Sequence, residues 1–230
     1  MTRDSHGFTL LEIAIVLVII GLLLSGVLKG QELITSARVR NLISQQDGVK
    51  TAFFGFEDRY RAVPGDYSQA GININCGGTA CINGNGNGRI EAGTGGAIHE
   101  EILAWQHLSA SGFIAGTYTM ANSAVTAADE TNTARNFYTG VFLQLVFDND
   151  WGPSTNTVRK HHMNTGGLVP VEILAEVDRK IDDGRPYSGA FQFSAFARSG
   201  DIAPDPATCV NGSGWDVSGG DANCGAASLF

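Results

Sequence analysis

Residues 83–90 place side-chain oxygens at alternate positions and glycines between them: Asn83-Gly84-Asn85-Gly86-Asn87-Gly88-Arg89-Ile90. The spacing is that of an EF-hand-type loop, with glycine sixth and an apolar residue eighth. Alternation turns successive oxygens toward one centre, and Gly88 permits the bend. Asn83, Asn85, Asn87 and Arg89 are therefore candidate Ca2+-site residues. Asparagine brings no charge, and Thr94 stands where the loop wants a bidentate glutamate. Glu91, Glu100 or Glu101 would have to supply the negative charge. The plainer reading is a turn loop held by side-chain-to-backbone hydrogen bonds, and both stay open. His99-Glu100-Glu101 begins like a zinc-protease motif, but Leu103 occupies the second histidine's position. His161-His162 sits beside Arg159 and Lys160 and reads as a solvated loop or strand. No phosphate-cradling GxxxxGK[ST] and no GxSxG nucleophile turn occurs, so the expectation is a protein without enzymatic activity.

A second group of reactive residues is the four cysteines: Cys76 and Cys81, then Cys209 and Cys224. They lie in two local pairs within polar, glycine-rich stretches, which suits disulfides in an oxidising compartment. Of three connectivities, Cys76–Cys81 with Cys209–Cys224 is preferred over a four-cysteine zinc site, since neither pair has CxxC spacing. The net charge of −8 shows no basic face, so nucleic acid is not expected as a partner. Glycine makes up 30 of 230 residues, which points to a loop-rich head.

The third group is a single carboxylate, Glu12, inside an apolar run. Residues 8–28 read FTLLEIAIVLVIIGLLLSGVL. At 1.5 Å per residue such a helix spans about 30 Å, the thickness of a bilayer core. A secretory signal would have a shorter core and a small-residue cleavage site behind it. A plain anchor leaves Glu12 without a partner. Arg3 precedes the run while Lys29, Arg38 and Arg40 follow it, so the positive-inside count does not place the N-terminus in the cytoplasm.

Residues 1–12, MTRDSHG-FTLLE, resemble the signature of type IV pilin and type II secretion pseudopilin precursors: a short polar leader, glycine at the cut, then Phe-Thr-Leu-Leu-Glu. The resemblance implies cleavage by prepilin peptidase between Gly7 and Phe8 and methylation of the new Phe8 amine. It also implies that Glu12 pairs with the Phe8 amine of a neighbouring subunit and so sets the register of a filament. The expected partners are then prepilin peptidase, other pilin subunits, an inner-membrane assembly platform, and membrane lipid before assembly. The expected location is the bacterial inner membrane, with the head outside the cytoplasm, then a periplasmic or surface filament.

These residues need elements to hold them. Residues 29–61 turn amphipathic, with Leu33, Ile34, Leu42, Val49, Phe53, Phe56 and Tyr60 at helical spacing, and Pro64-Gly65-Asp66 ends the run. The domain reading is a leader over 1–7, one long helix over 8–61 with a transmembrane part at 8–28, and a head over 62–230. Within the head, 62–97 reads as a long loop, 98–108 as a helix, 136–147 as a strand, 170–181 as a helix opening at Pro170, 189–196 as a strand, and 200–230 as a polar tail. The fold class expected is α+β: a long transmembrane N-terminal helix packed on a small antiparallel sheet. RYRAVPGDY, WQHL and KIDDGRP add to the pilin-like resemblance, and Asp150-Trp151-Gly152-Pro153 loosely resembles a type II secretion pseudopilin element with its proline displaced. The function implied is a structural subunit of a type IV pilus-like filament. Its alternatives are a type II secretion pseudopilin, or a membrane-anchored binding domain that is not assembled.

Overall fold

A computed structural model gives the structure of residues 9–78, 80–93 and 97–230. The chain divides into two units, one up to Arg38 and one from Val39 to Phe230. Helix α1 (Leu10–Tyr60, 51 residues) contributes to both.

From Leu10 to Leu28, in the first unit, α1 has no polar face. Its large apolar residues from Leu10 to Leu28 remain between 46% and 90% exposed. Water does not tolerate such a cylinder, whereas lipid does. Among the described residues it is the helix long and apolar enough to cross a membrane. The first ion pair on it, Lys29 Nζ to Glu32 at 2.7 Å, marks where polar residues return.

In the second unit α1 becomes one-sided. Val39, Leu42, Gln46, Val49, Ala52, Phe53 and Phe56 are buried, three or four residues apart. The helix ends at Arg61, which takes a left-handed conformation (φ 54°) while its N–H reaches the Glu57 carbonyl at 2.8 Å. Beyond it Gly65 (φ 88°) lies so close to the helix that starts at Glu100 that an added Cβ would sit 2.4 Å from the Glu100 carbonyl oxygen. Glycine is required there.

The head carries a short helix α2 (Ala70–Asn73), then α3 (Glu100–Ala110), strands β1 (Gln144–Asp148) and β2 (Lys160–Asn164), helix α4 (Val171–Ile181) and strand β3 (Phe191–Phe193). A turn of helix α5 (Pro206–Cys209), a two-strand ribbon of β4 (Val210–Asn211) and β5 (Gly214–Trp215), and strand β6 (Ala226–Leu229) complete it. The main sheet has the order β1-β2-β6-β3, antiparallel throughout. One apolar cluster joins Val49, Phe53 and Phe56 to Ile90, Trp105, Leu108, Leu145 and Met163. A second joins Val39 and Leu42 to α4, β3 and Trp215.

The architecture is α+β and pilin-like, as the sequence implies, but the sheet departs from the expectation in three places. The strand expected over 136–147 is regular only from Gln144. Asn136 and Gly140 close a turn instead (Gly140 φ 72°), and Phe137 is 76% exposed. Lys160–Asn164 forms an inner strand although its residues are mostly polar; His162 and Asn164 are buried rather than solvated. The polar tail ends in β6, whose four residues are all buried between β2 and β3. Ala-Ala-Ser-Leu is too small and too short to announce a strand by alternation.

Candidate functional site: the helix start and the head loop

Gly7 and Phe8, the expected processing residues, lie outside the described residues. The structure begins at Thr9, one residue before α1. Thr9 N–H donates to Glu12 Oε2 at 2.8 Å, and the Thr9 hydroxyl donates to the same oxygen at 2.8 Å. Glu12 N–H returns a bond to Thr9 Oγ1 at 3.2 Å. This is a reciprocal capping box: residue N3 satisfies the N-cap backbone, and the N-cap side chain satisfies N3. Glu12 therefore has a polar partner within its own chain, which the sequence reading did not provide for. The Thr-x-x-Glu spacing ahead of an apolar run was the available signal.

The Asn-Gly loop is built by carboxylates from outside it. Asp66 is 2% exposed and accepts the Asn87 N–H at 2.9 Å on one oxygen and the Gly88 N–H at 2.8 Å on the other. Glu100, 1% exposed at the start of α3, accepts the Asn85 N–H at 2.9 Å and the Glu91 N–H at 3.1 Å. Glu91 accepts the amide groups of Asn85 and Asn87 at 3.1 and 2.9 Å. Burial pushes Asp66 upward and Glu100 up to about 7, with neighbouring carboxylates adding to both. Sequence reasoning missed Asp66 because it lies some twenty residues away and reads simply as a helix stop.

The asparagine oxygens are occupied locally. Asn83 Oδ1 accepts from Gly71 N–H, Asn85 Oδ1 from Asn87 N–H, and Asn87 Oδ1 from Arg89 N–H, at 2.8 to 3.0 Å. The Arg89 guanidinium lies over the Phe147 ring, 5.2 Å from its centroid. The acidic groups suit a hard cation by charge, while the asparagine oxygens face backbone donors and not one shared centre. The loop's own hydrogen bonds suffice to shape it.

Cys76 bonds Cys81 and Cys209 bonds Cys224, with Cα separations of 5.3 and 5.7 Å. The first closes a small loop across the Asn75–Ala80 bridge; the second ties α5 to the chain entering β6. Asp178, Asp182 and Asp183 also come together, but their oxygens accept from Trp215 Nε1 (2.7 Å), Phe191 N–H (2.7 Å) and Arg185 N–H (2.9 Å), which stop α4 and orient the following turn. His107 accepts the Gly65 N–H through Nδ1 and donates through Nε2 to the Ile82 carbonyl, so it is a satisfied neutral core residue, pushed by burial to about 4.

What remains distinctive is the N-terminal segment. Residues 2–28 match the prokaryotic N-terminal methylation motif, the hallmark of type IV pilin and pseudopilin prepilins. The motif, the long apolar helix and the small antiparallel sheet are consistent with a pilin-like α+β architecture, and the motif and helix fit membrane anchoring. No curated protein and no solved structure matches the chain.

Proposed function

We propose that the chain is a non-enzymatic structural subunit of a type IV pilus-like filament. Prepilin peptidase cleaves after Gly7 and methylates Phe8, the mature helix rests in the inner membrane with the head outside the cytoplasm, and an assembly platform feeds it into a periplasmic or surface filament. The observation that carries this reading is the methylation motif on a helix whose entire first part offers apolar surface. Helix-to-helix packing in the filament buries that surface. The Phe8 amine of a neighbour, brought to Glu12, then competes with the chain's own Thr9 donors. The two disulfides suit a head outside the cytoplasm, in a pilus subunit or in a type II secretion pseudopilin, which is the alternative within the class. Sheared surface filaments from the native host, probed for this chain, test the choice: presence there supports the pilus reading, and confinement to the periplasm supports the pseudopilin.

A divalent cation such as Ca2+ at the Asn83–Arg89 loop is a separate proposal. Asp66, Glu91 and Glu100 favour it, since they form no ion pair with a basic side chain among the described residues.

A further inference from the structure

Four asparagines precede a glycine: Asn83, Asn85 and Asn87 in the head loop, and Asn211 at the turn between β4 and β5. An Asn-Gly bond can react with itself, because glycine leaves the following backbone nitrogen sterically open. That nitrogen loses its proton to solvent, attacks the asparagine Cγ and expels the side-chain nitrogen as ammonia. The five-membered succinimide then takes up water at either carbonyl and leaves aspartate or isoaspartate, with no oxidant or reductant involved. The step needs a backbone N–H free of hydrogen bonds and a side chain free to turn back toward it. A bonded N–H must first give up its acceptor.

The fold withholds both conditions from the head loop. The Gly84 N–H donates to the Tyr67 carbonyl at 3.0 Å, the Gly86 N–H to the Asp66 carbonyl at 2.9 Å, and the Gly88 N–H to the Asp66 carboxylate at 2.8 Å. The side chains are held as well: Asn83 Oδ1 accepts from Gly71, and the amide groups of Asn85 and Asn87 donate to Glu91. Asn211-Gly212 meets the opposite conditions. Asn211, Gly212 and Ser213 are all exposed. Gly212 (φ 63°) opens a two-residue turn between the paired Asn211 and Gly214. Neither its N–H nor the Asn211 side chain has a hydrogen-bond partner among the described residues. A Cβ on Gly212 would meet nothing within 4 Å, so the space for ring closure is open. The β4–β5 ribbon lies outside the four-stranded sheet, and a short two-stranded ribbon restrains its turn weakly.

We propose that Asn211 is a site of spontaneous covalent modification, converted to aspartate and isoaspartate through attack by the Gly212 nitrogen, while the fold shields Asn83, Asn85 and Asn87. Either product adds a negative charge to the turn. Isoaspartate also adds a methylene to the main chain of β4, whose partner strand carries Trp215, bonded to Asp178 of α4 at 2.7 Å. The site is independent of how the N-terminal segment is used.

The test incubates the full-length chain in detergent micelles at mildly alkaline pH and follows each Asn-Gly bond by mass spectrometry, with electron-transfer fragmentation to tell isoaspartate from aspartate. In the folded chain the products at Asn211 should exceed those at Asn83, Asn85 and Asn87 by about tenfold, the factor that breaking one hydrogen bond supplies. In the same chain reduced and unfolded in guanidinium, all four should convert at similar rates. Asp66→Ala removes the acceptor of the Gly88 N–H and should speed conversion of Asn87 while leaving Asn211 at its own rate. Where that variant does not fold, the ranking within the unmodified chain still decides. An Asn211 that converts no faster than the loop asparagines in the folded chain, or that stays intact when the unfolded chain has converted, would overturn the proposal. So would a ranking that survives unfolding, since the local sequence and not the fold would then set it, or a folded Asp66→Ala chain whose Asn87 converts no faster.

Discussion

Thr9 and Glu12 hold each other at the start of α1: two Thr9 donors meet one carboxylate oxygen at 2.8 Å, and Glu12 returns its N–H to the Thr9 hydroxyl. The carboxylate in the apolar run is thus provided for before any neighbour arrives. On the filament reading proposed above, a subunit with Glu12 satisfied locally would exchange that partner for a neighbour's Phe8 amine on assembly.

Glu12→Ala and Glu12→Val should therefore leave membrane insertion intact and reduce incorporation into filaments. Thr9→Val should leave assembly largely in place, because the intermolecular amine does not depend on the cap. Quantifying the chain in membrane and sheared-filament fractions checks both. Filament incorporation of Glu12→Ala at the unmodified level contradicts the pairing.

The disulfides should differ in weight. Cys209–Cys224 closes 15 residues and fastens the entry to the inner strand β6, whereas Cys76–Cys81 closes 5. Replacing Cys209 and Cys224 with serine should lower head stability by about 3 kcal/mol, and replacing Cys76 and Cys81 by less. Denaturant midpoints of the two double variants give the comparison, and equal losses would count against the loop-length argument.

Glu100 makes stability depend on pH. Burial raises its folded value from 4.5 to about 7, so between these values the folded chain keeps a proton that the unfolded chain releases. Its contribution is present below pH 4.5 and lost as pH rises to about 7, by roughly 1–3 kcal/mol. His107 and His161, both pushed down to about 4, act oppositely: their contribution is gained as pH rises from 4 to 6.5. The whole protein's pH curve therefore mixes both signs. The Glu100→Gln variant isolates the first: relative to the unmodified head it should gain stability progressively between pH 5 and 7.5. A constant offset across that range would show that Glu100 is not held protonated.

Calcium, where it binds the Asn83–Arg89 loop, reverses this behaviour by favouring the ionised carboxylates. At pH 7.5 millimolar Ca2+ should raise the unfolding midpoint, and Asp66→Asn should remove the increase. Equal midpoints with Ca2+ and with a chelator would leave the loop as a hydrogen-bonded turn built on Asp66 and Glu100.

The sequence is most legible where periodicity is long. The uninterrupted apolar run and the Val49-Phe53-Phe56-Tyr60 stripe announce α1, Pro64-Gly65 announces its end, and Val171–Ile181 carries the helical pattern of α4. The inner sheet is far less visible. Lys160–Asn164 is polar in composition, yet its backbone fills the gap between β1 and β6, and Ala226–Leu229 is buried by its neighbours more than by its own hydrophobicity. At the head loop the Asn-Gly spacing is plain in the sequence, but Asp66 reaches it only through the fold, which brings together residues far apart in the chain.

Prepilin processing of this chain is read out by N-terminal peptide and intact-mass analysis of the protein from its native host. A processed prepilin begins at N-methylated Phe8 and is lighter by residues 1–7. A chain still beginning at Met1, or cut after Leu28, in cells with an active prepilin peptidase would contradict it.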